Sequence, residues 1–311
     1  GGAVADVPAG GLAALAQDSD VDQLSSNSVV RSMTDVTIAT IGSALLHTSD
    51  LDGLRALTGK GIGVAVLDSG VADVPEIGKA VVASLDLTGT NTRDEFGHGT
   101  HVAGIIAARG VNALDDTRGV APRANIISVK VIDGSGSGRV GNVIAALEWV
   151  VANKEKYNIQ VANMSLGGTV LQSWRDDPLC QAVENAHRAG ISVVASAGNR
   201  GKHGITRPGN CPFAITVGAL NTKGTPARSD DVMATYSGWG PTPFDYSIKP
   251  DLSAPGNKIL GLAAPGSTLV KSHPELVVEA DGRRRLILSG TSQAAATVAG
   301  ALAQLKQAMP T

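Results

Sequence analysis

The sequence predicts an α/β protein: a three-layer fold whose mainly parallel central sheet is covered by helices on both faces. Three observations carry that expectation. Runs rich in Val, Ile and Ala alternate with helix-patterned segments. The strand runs, such as GVAVLD and ISVVAS, are almost continuously apolar, so both of their faces must be covered. Glycine is abundant at 38 residues while aromatics reach only 3%, so the core uses small aliphatic side chains and the connections turn tightly.

The elements follow in order. GIGVAVLDSG (61–70) reads as a buried strand ending in a turn, and HVAGIIAARG (101–110) as a helix. NIISVKVIDG (125–134) is the next strand and NVIAALEWVVANK (142–154) the next helix. IQVANMSLGG (159–168), CQAVENAHRAG (180–190) and ISVVASAGN (191–199) read as strand, helix and strand. AITVGAL (214–220) adds a strand, and 291–309 forms a closing helix. In such sheets ligand chemistry gathers at the carboxyl ends of the strands. Residues 1–35 read differently, as a short helix followed by a strand, which predicts a small α+β segment 1–35 ahead of a main domain 36–311. No internal repeat or low-complexity tract is present.

Composition removes several classes of function. With 43% apolar and 17% charged residues the chain is globular rather than disordered. A net charge of -2 argues against a nucleic-acid partner, which calls for a basic surface. No apolar run reaches the roughly 18 residues of a membrane span. The opening GGAVADVPAGG lacks the basic stretch of a signal peptide, which leaves secretion open because processing removes it. Cys180 and Cys211 are too few for a disulfide scaffold and form no CxxC zinc motif. A disulfide and two buried free thiols remain alternatives.

The chemistry centres on LSGTSQAAATVAG (288–300). Ser292 before an apolar helix is either an N-cap or a nucleophile. A nucleophile needs a base and an orienting acid. Asp68 ends the strand VAVLD, where a carboxylate is held rigidly, although Asp also favours such turns for its own backbone bonds. His98, flanked by Gly97 and Gly99, suits proton transfer. His98 and His101 are spaced i, i+3, but HExxH is absent and no third ligand stands nearby, so His101 is expected to pack inside. Asn199 ends ISVVASAGN, either as an oxyanion donor or as a left-handed turn residue. All four fall at the ligand edge in the order Asp, His, Asn, Ser.

Together DSGV at Asp68, HGTHVAG at His98, NMSLGG at 163–168, SAGN at Asn199 and SGTS at Ser292 resemble the motifs of the subtilisin family of serine peptidases, from about residue 58 to 309. The resemblance implies that Ser292 is the nucleophile, His98 the general base and Asp68 its orienting acid, with Asn199 and the Ser292 N–H as oxyanion hole. It implies an extended polypeptide substrate paired between Gly136–Ser137–Gly138 and Ser165–Leu166–Gly167. Thr206 would lie near the base of the primary pocket, and Val140 and Val143 near an outer apolar pocket. Asp94 and Glu95 beside His98 would favour a basic neighbour. Residues 1–33 resemble the second half of the family's inhibitory propeptide, so a secreted zymogen is implied, with self-cleavage near 31–40 and its own propeptide as inhibitor. A monomer without a catalytic cofactor is expected. Structural calcium occurs in the family, and Glu76, Asp115 and Asp116 are candidate oxygen donors.

The chain departs from the family after GTS. Gln293 and Ala296 stand where the family carries Met and Pro. Alanine is the better helix former, so the helix should persist, and Gln293 should confer tolerance to peroxide at this position. Two rivals remain. Gly136, Gly138 and Gly141 form a lone GxGxxG, a dinucleotide motif that lacks its ribose-binding acid. A catalytically impaired relative that binds peptides is the other.

Overall fold

The computed structural model describes residues 7–20, 33–47, 56–110, 118–280 and 282–309. The chain divides into two compact units, Gly1–Arg31 and Ser32–Thr311. In the first, Ala9–Gly11 forms a 3-10 turn that runs into a single helical turn, α1 (Leu12–Leu15), which buries no side chain. The strand expected after it falls on residues 21–32, outside the described residues.

The second unit opens with two short helices, α2 (Met33–Thr40) and α3 (Ser43–Leu46). Then come β1 (Gly63–Asp68), β2 (Val81–Asp86), α4 (His98–Ala107), β3 (Asn125–Lys130), α5 (Val140–Ala152) and α6 (Lys154–Tyr157). They are followed by β4 (Ile159–Met164), α7 (Pro178–Arg188), β5 (Ser192–Ser196), β6 (Ala214–Asn221), β7 (Val232–Met233) and β8 (Leu252–Pro255). The unit closes with β9 (Ile259–Leu262), α8 (Thr268–Ser272), β10 (Val277–Ala280), β11 (Arg283–Leu288) and α9 (Thr291–Ala308).

The main sheet has the order β2-β3-β1-β4-β5-β6-β7, with β8 also paired to β6. Every pair is parallel except β6 with β7. β1 is wholly buried, and its residues alternate between two cores. Val64 and Val66 face α4 and α9, meeting Val102, Ile106, Ala295 and Ala299. Ala65 and Leu67 belong to the other core, with Val143 and Leu147 of α5 and Leu179 and Val183 of α7. Three layers follow directly from that period of two, and each buried Val or Leu contributes about 1.5–3 kcal/mol. Strand order reverses at β1, whose neighbours are β3 and β4, so the open end of β1 lies at the switch point where a crevice forms.

Local chemistry sets the helix ends. Pro178 occupies the first turn of α7, and Asp177 before it accepts from Leu179 N at 2.9 Å. α9 runs unbroken through the buried Ala296. Cys180 on α7 is bridged to Cys211 with 5.5 Å between their Cα atoms, so the two cysteines are paired.

A second, antiparallel sheet, β10-β11-β9, carries the run Arg283–Leu288. The alternation of a strand sends Arg283 and Arg285 to one side, where both reach Glu76 Oε1, at 3.2 and 2.6 Å. Arg284, on the other side, meets Glu279 at 3.1 Å.

Candidate active site

Asp68 is the last residue of β1 and is fully buried. Its Oδ1 accepts from Ser69 N at 2.8 Å. His98 is the first residue of α4, and its Nδ1 stands 2.8 Å from Asp68 Oδ1 and 2.9 Å from Oδ2. Two glycines allow this approach. Gly97 has φ of 106°, and a Cβ on Gly99 would run into the Gly70 carbonyl.

Asp94 holds the start of α4. It accepts from Ser69 Oγ at 2.8 Å, Gly97 N at 2.7 Å, Thr100 N at 2.8 Å and Thr100 Oγ1 at 2.5 Å. Ser69 Oγ accepts in turn from Gly99 N at 2.9 Å. The otherwise orphaned donors at the helix start are thereby satisfied. Burial raises the Asp94 pKa against these four bonds.

The environment of His98 pulls its basicity both ways. Burial lowers it, while the charge and hydrogen bond of Asp68, with the Asp94 charge behind, raise it; the balance lies above the ordinary imidazole value.

Ser292, in the first turn of α9, is not a helix cap. Gly290 occupies the N-cap without a side-chain bond. The Ser292 hydroxyl donates to Ser165 O at 3.0 Å, and Ser165 Oγ donates back to Ser292 O at 2.8 Å. Asn163 Nδ2 donates to Ser165 Oγ at 2.9 Å, tying the end of β4 to the start of α9. Asn199 is fixed through its oxygen: Oδ1 accepts from Thr291 N at 2.9 Å and Thr291 Oγ1 at 3.0 Å. The amide nitrogen is left for the cleft that Asn199 shares with Ser292.

Two adjoining cavities complete the site. One, of about 360 Å³, is lined by Ser165–Gly168, Ser196, Gly198, Asn199, Thr206 and Ser292. The Thr206 hydroxyl is buried there without a hydrogen-bond partner. The other, of about 290 Å³, is lined by His98, Gly136, Gly138, Ser165–Gly167, Val140 and Val143. Both expected backbone edges therefore border one cleft. Ser137 is exposed on the first edge, its carbonyl accepting from Asp133 N at 2.8 Å. Phe96 packs against Gly136, where a Cβ would come within 2.6 Å of its ring.

Three expectations need correction. Asp94 is buried under four donors and cannot meet a substrate. Glu95 is exposed but pairs with Lys130 Nζ at 3.1 Å and Asn91 Nδ2 at 3.0 Å. The basic preference read from these two acids therefore loses its basis. Glu76, offered as a calcium donor, lies 3% exposed between Arg283 and Arg285, where cationic groups already fill its coordination. Asp115 and Asp116 lie outside the described residues. Among the described residues no group of three His, Cys, Asp or Glu is arranged around a metal. His101 is buried with Nε2 on the Ile259 and Leu286 carbonyls, so it does not pair with His98 as a ligand.

The residues that sequence reasoning missed are Phe96, Arg139 and Arg207, which line the same cleft as His98. Arg207 precedes a proline in a turn-like segment, and nothing in TRPG signals its meeting with Gly168.

A mainly parallel sheet thus sets Asp68 against His98 at its switch point, with Ser292 lining the adjoining cavity. The Subtilase family model matches residues 59–311, and the chain belongs to that family. It is 38% identical to Serine protease AprX of Bacillus subtilis (strain 168) over 265 residues, 82% of this chain and 59% of that protein. It is 36% identical to Subtilisin Savinase of Lederbergia lenta over 256 residues, 82% of this chain and 80% of that protein. Among solved structures, Sphericase superposes with a TM-score of 0.68 at 29% identity, covering 87% of this chain and 84% of its own. The chain spans only about three fifths of the lengths of Serine protease AprX and of Thermostable alkaline protease from Halalkalibacterium halodurans, 59% and 60%.

Proposed function

We propose that this chain is a secreted serine endopeptidase that cleaves polypeptides through Asp68, His98 and Ser292. The observation that carries the reading is the contact of buried Asp68 with His98 Nδ1 at 2.8 Å, at the head of a helix held by Asp94. In this scheme Ser292 Oγ attacks the scissile carbonyl carbon and its proton passes to His98 Nε2. Asp68 stabilises the imidazolium. The negative oxygen is met by Asn199 Nδ2 and the Ser292 N–H. His98 returns the proton to the leaving amine, and water attacks the acyl-enzyme through the same base.

The Ser292 hydroxyl rests on Ser165 O, a carbonyl of the substrate edge. A substrate N–H seated on that edge competes for the same carbonyl and frees the hydroxyl to turn toward His98. The same bond motivates the second reading, a peptide-binding relative in which Ser292 is never released.

Residues 1–35 act in this proposal as a propeptide remnant, removed by self-cleavage. Thr37, Ile38 and Thr40 are buried, and the Thr40 carbonyl accepts from Arg228 Nε at 3.1 Å. A cut between 31 and 36 leaves those contacts intact, so that part of the 31–40 window is favoured. Secretion draws support from the Cys180–Cys211 bridge, which persists in oxidising compartments.

The test is labelling by a fluorophosphonate probe. Labelling of wild type and not of Ser292→Ala supports an activated serine. An unlabelled wild type, with residues 1–35 removed, replaces the endopeptidase by the peptide binder.

A further inference from the structure

The cleft between the two backbone edges has apolar walls, with Val140, Val143, Leu166 and Phe96 among them. Besides His98, its charged lining residues are Arg139 and Arg207; among the described residues no carboxylate lines it. Arg139 is exposed, at the head of α5.

Arg207 is seated by its backbone. Gly168 N donates to Arg207 O and Arg207 N to Gly168 O, each at 3.0 Å. Its side chain lies along Gly168, where an added Cβ would stand 3.4 Å from Nε. The side chain is 19% exposed, and Nε makes no hydrogen bond. Nη1 is 3.7 Å from Asp177 Oδ2, an oxygen that itself accepts no hydrogen bond. Asp177 is 1% exposed and uses Oδ1 to cap α7. At that distance the carboxylate offsets part of the guanidinium charge without accepting a hydrogen bond from it. The sign of charge presented to the cleft is positive.

We infer that this outer cleft selects polypeptides bearing a carboxylate side chain, glutamate in particular, on the amino side of the scissile bond, and disfavours lysine there. The naming of a scissile bond rests on the peptidase reading; the binding preference does not. Glutamate fits because its methylenes lie against Val140 and Leu166 while its carboxylate meets the planar fork of Arg207. The two acids that pointed to the opposite preference are withdrawn, Asp94 by burial and Glu95 by Lys130.

The test uses peptides that differ only in Glu, Gln or Lys, placed in turn at each position before the scissile bond. Two readouts run in parallel: kcat/KM with wild type, and Kd with Ser292→Ala protein freed of residues 1–35, which reads the cleft without turnover. At one position the Glu peptide should show about tenfold higher kcat/KM and about tenfold lower Kd than the Lys peptide, as for a partly exposed charge pair, and the ratio should shrink with added salt. Arg207→Gln should bring the ratio toward one. Asp177→Asn keeps the capping oxygen and should enlarge it. Equal Kd for Glu and Lys peptides at every position overturns the inference, as does an unchanged ratio in folded Arg207→Gln. Should Arg207→Gln not fold, a ratio insensitive to both Asp177→Asn and salt overturns it. A Glu preference in Kd without turnover by wild type overturns the peptidase reading alone; turnover without preference overturns this inference alone.

Discussion

His101 makes the protein sensitive to acid in a way that can be calculated. It is wholly buried on α4, with Nε2 3.2 Å from Ile259 O and 3.0 Å from Leu286 O. Two carbonyls at Nε2 require that nitrogen to carry the proton, and the ring is neutral. Burial first, and then the charge of His98, push its pKa down to about 4 against weaker upward pulls from the two carbonyls and Asp68. A depressed histidine pKa means that the unfolded chain takes up the proton first as pH falls. The stabilising effect is therefore complete above about 6.5 and is lost from there down through the folded value. The full loss is about 3 kcal/mol, of which about 2.5 kcal/mol falls between about pH 7.5 and about pH 4.5. Urea unfolding of Ser292→Ala protein, which cannot digest itself under the proposed mechanism, measures it at both pH values. Adding His101→Gln keeps a donor for the carbonyls and removes the titration. The double variant should lose about 2.5 kcal/mol less than Ser292→Ala between the two pH values. Equal pH-dependent losses in the two proteins would refute the reasoning.

Three further outcomes are expected. The raised pKa of His98 places the rising limb of the kcat/KM profile above the ordinary imidazole value, because the base works only when neutral; Asp68→Asn should shift that limb downward and reduce kcat by about 10⁴. The Cys180–Cys211 bridge closes a separation of 31 residues, so replacing both cysteines with serine should cost about 4 kcal/mol in non-reducing urea unfolding, and two alkylatable thiols in the native protein would contradict the pairing. Glu76→Gln removes the carboxylate shared by Arg283 and Arg285, and with Glu76 and Arg285 only 3% and 4% exposed the loss should be about 3–5 kcal/mol by the same measurement.

The fold was legible where side-chain pattern and burial coincide. GVAVLD reads as a doubly covered strand because both cores draw on it alternately. The run RRRLIL gives no such signal, since Arg285 is buried beside Leu286 and its burial depends on Glu76, 209 residues away in sequence. The helix expected over 101–110 in fact spans His98–Ala107. Its start is set by Asp94 and Ser69, a capping arrangement that the spacing does not display.

Asp68, His98, Asn199 and Ser292 could be picked out from residue order alone, because each sits in a short motif at a strand end or helix start. At such points local backbone chemistry constrains the residue, and the sheet brings those points to one edge. The charge of the substrate cleft belongs to another level. Asp94 and Glu95 adjoin the histidine in sequence, yet their neighbours Thr100, Ser69 and Lys130 occupy them. Arg207 stands far from His98 in sequence and reaches the cleft through its pairing with Gly168. Local motifs name the candidate reacting groups; which charges face the cleft depends on side chains from distant segments competing for the same partners, and that competition is resolved only when the chain has packed.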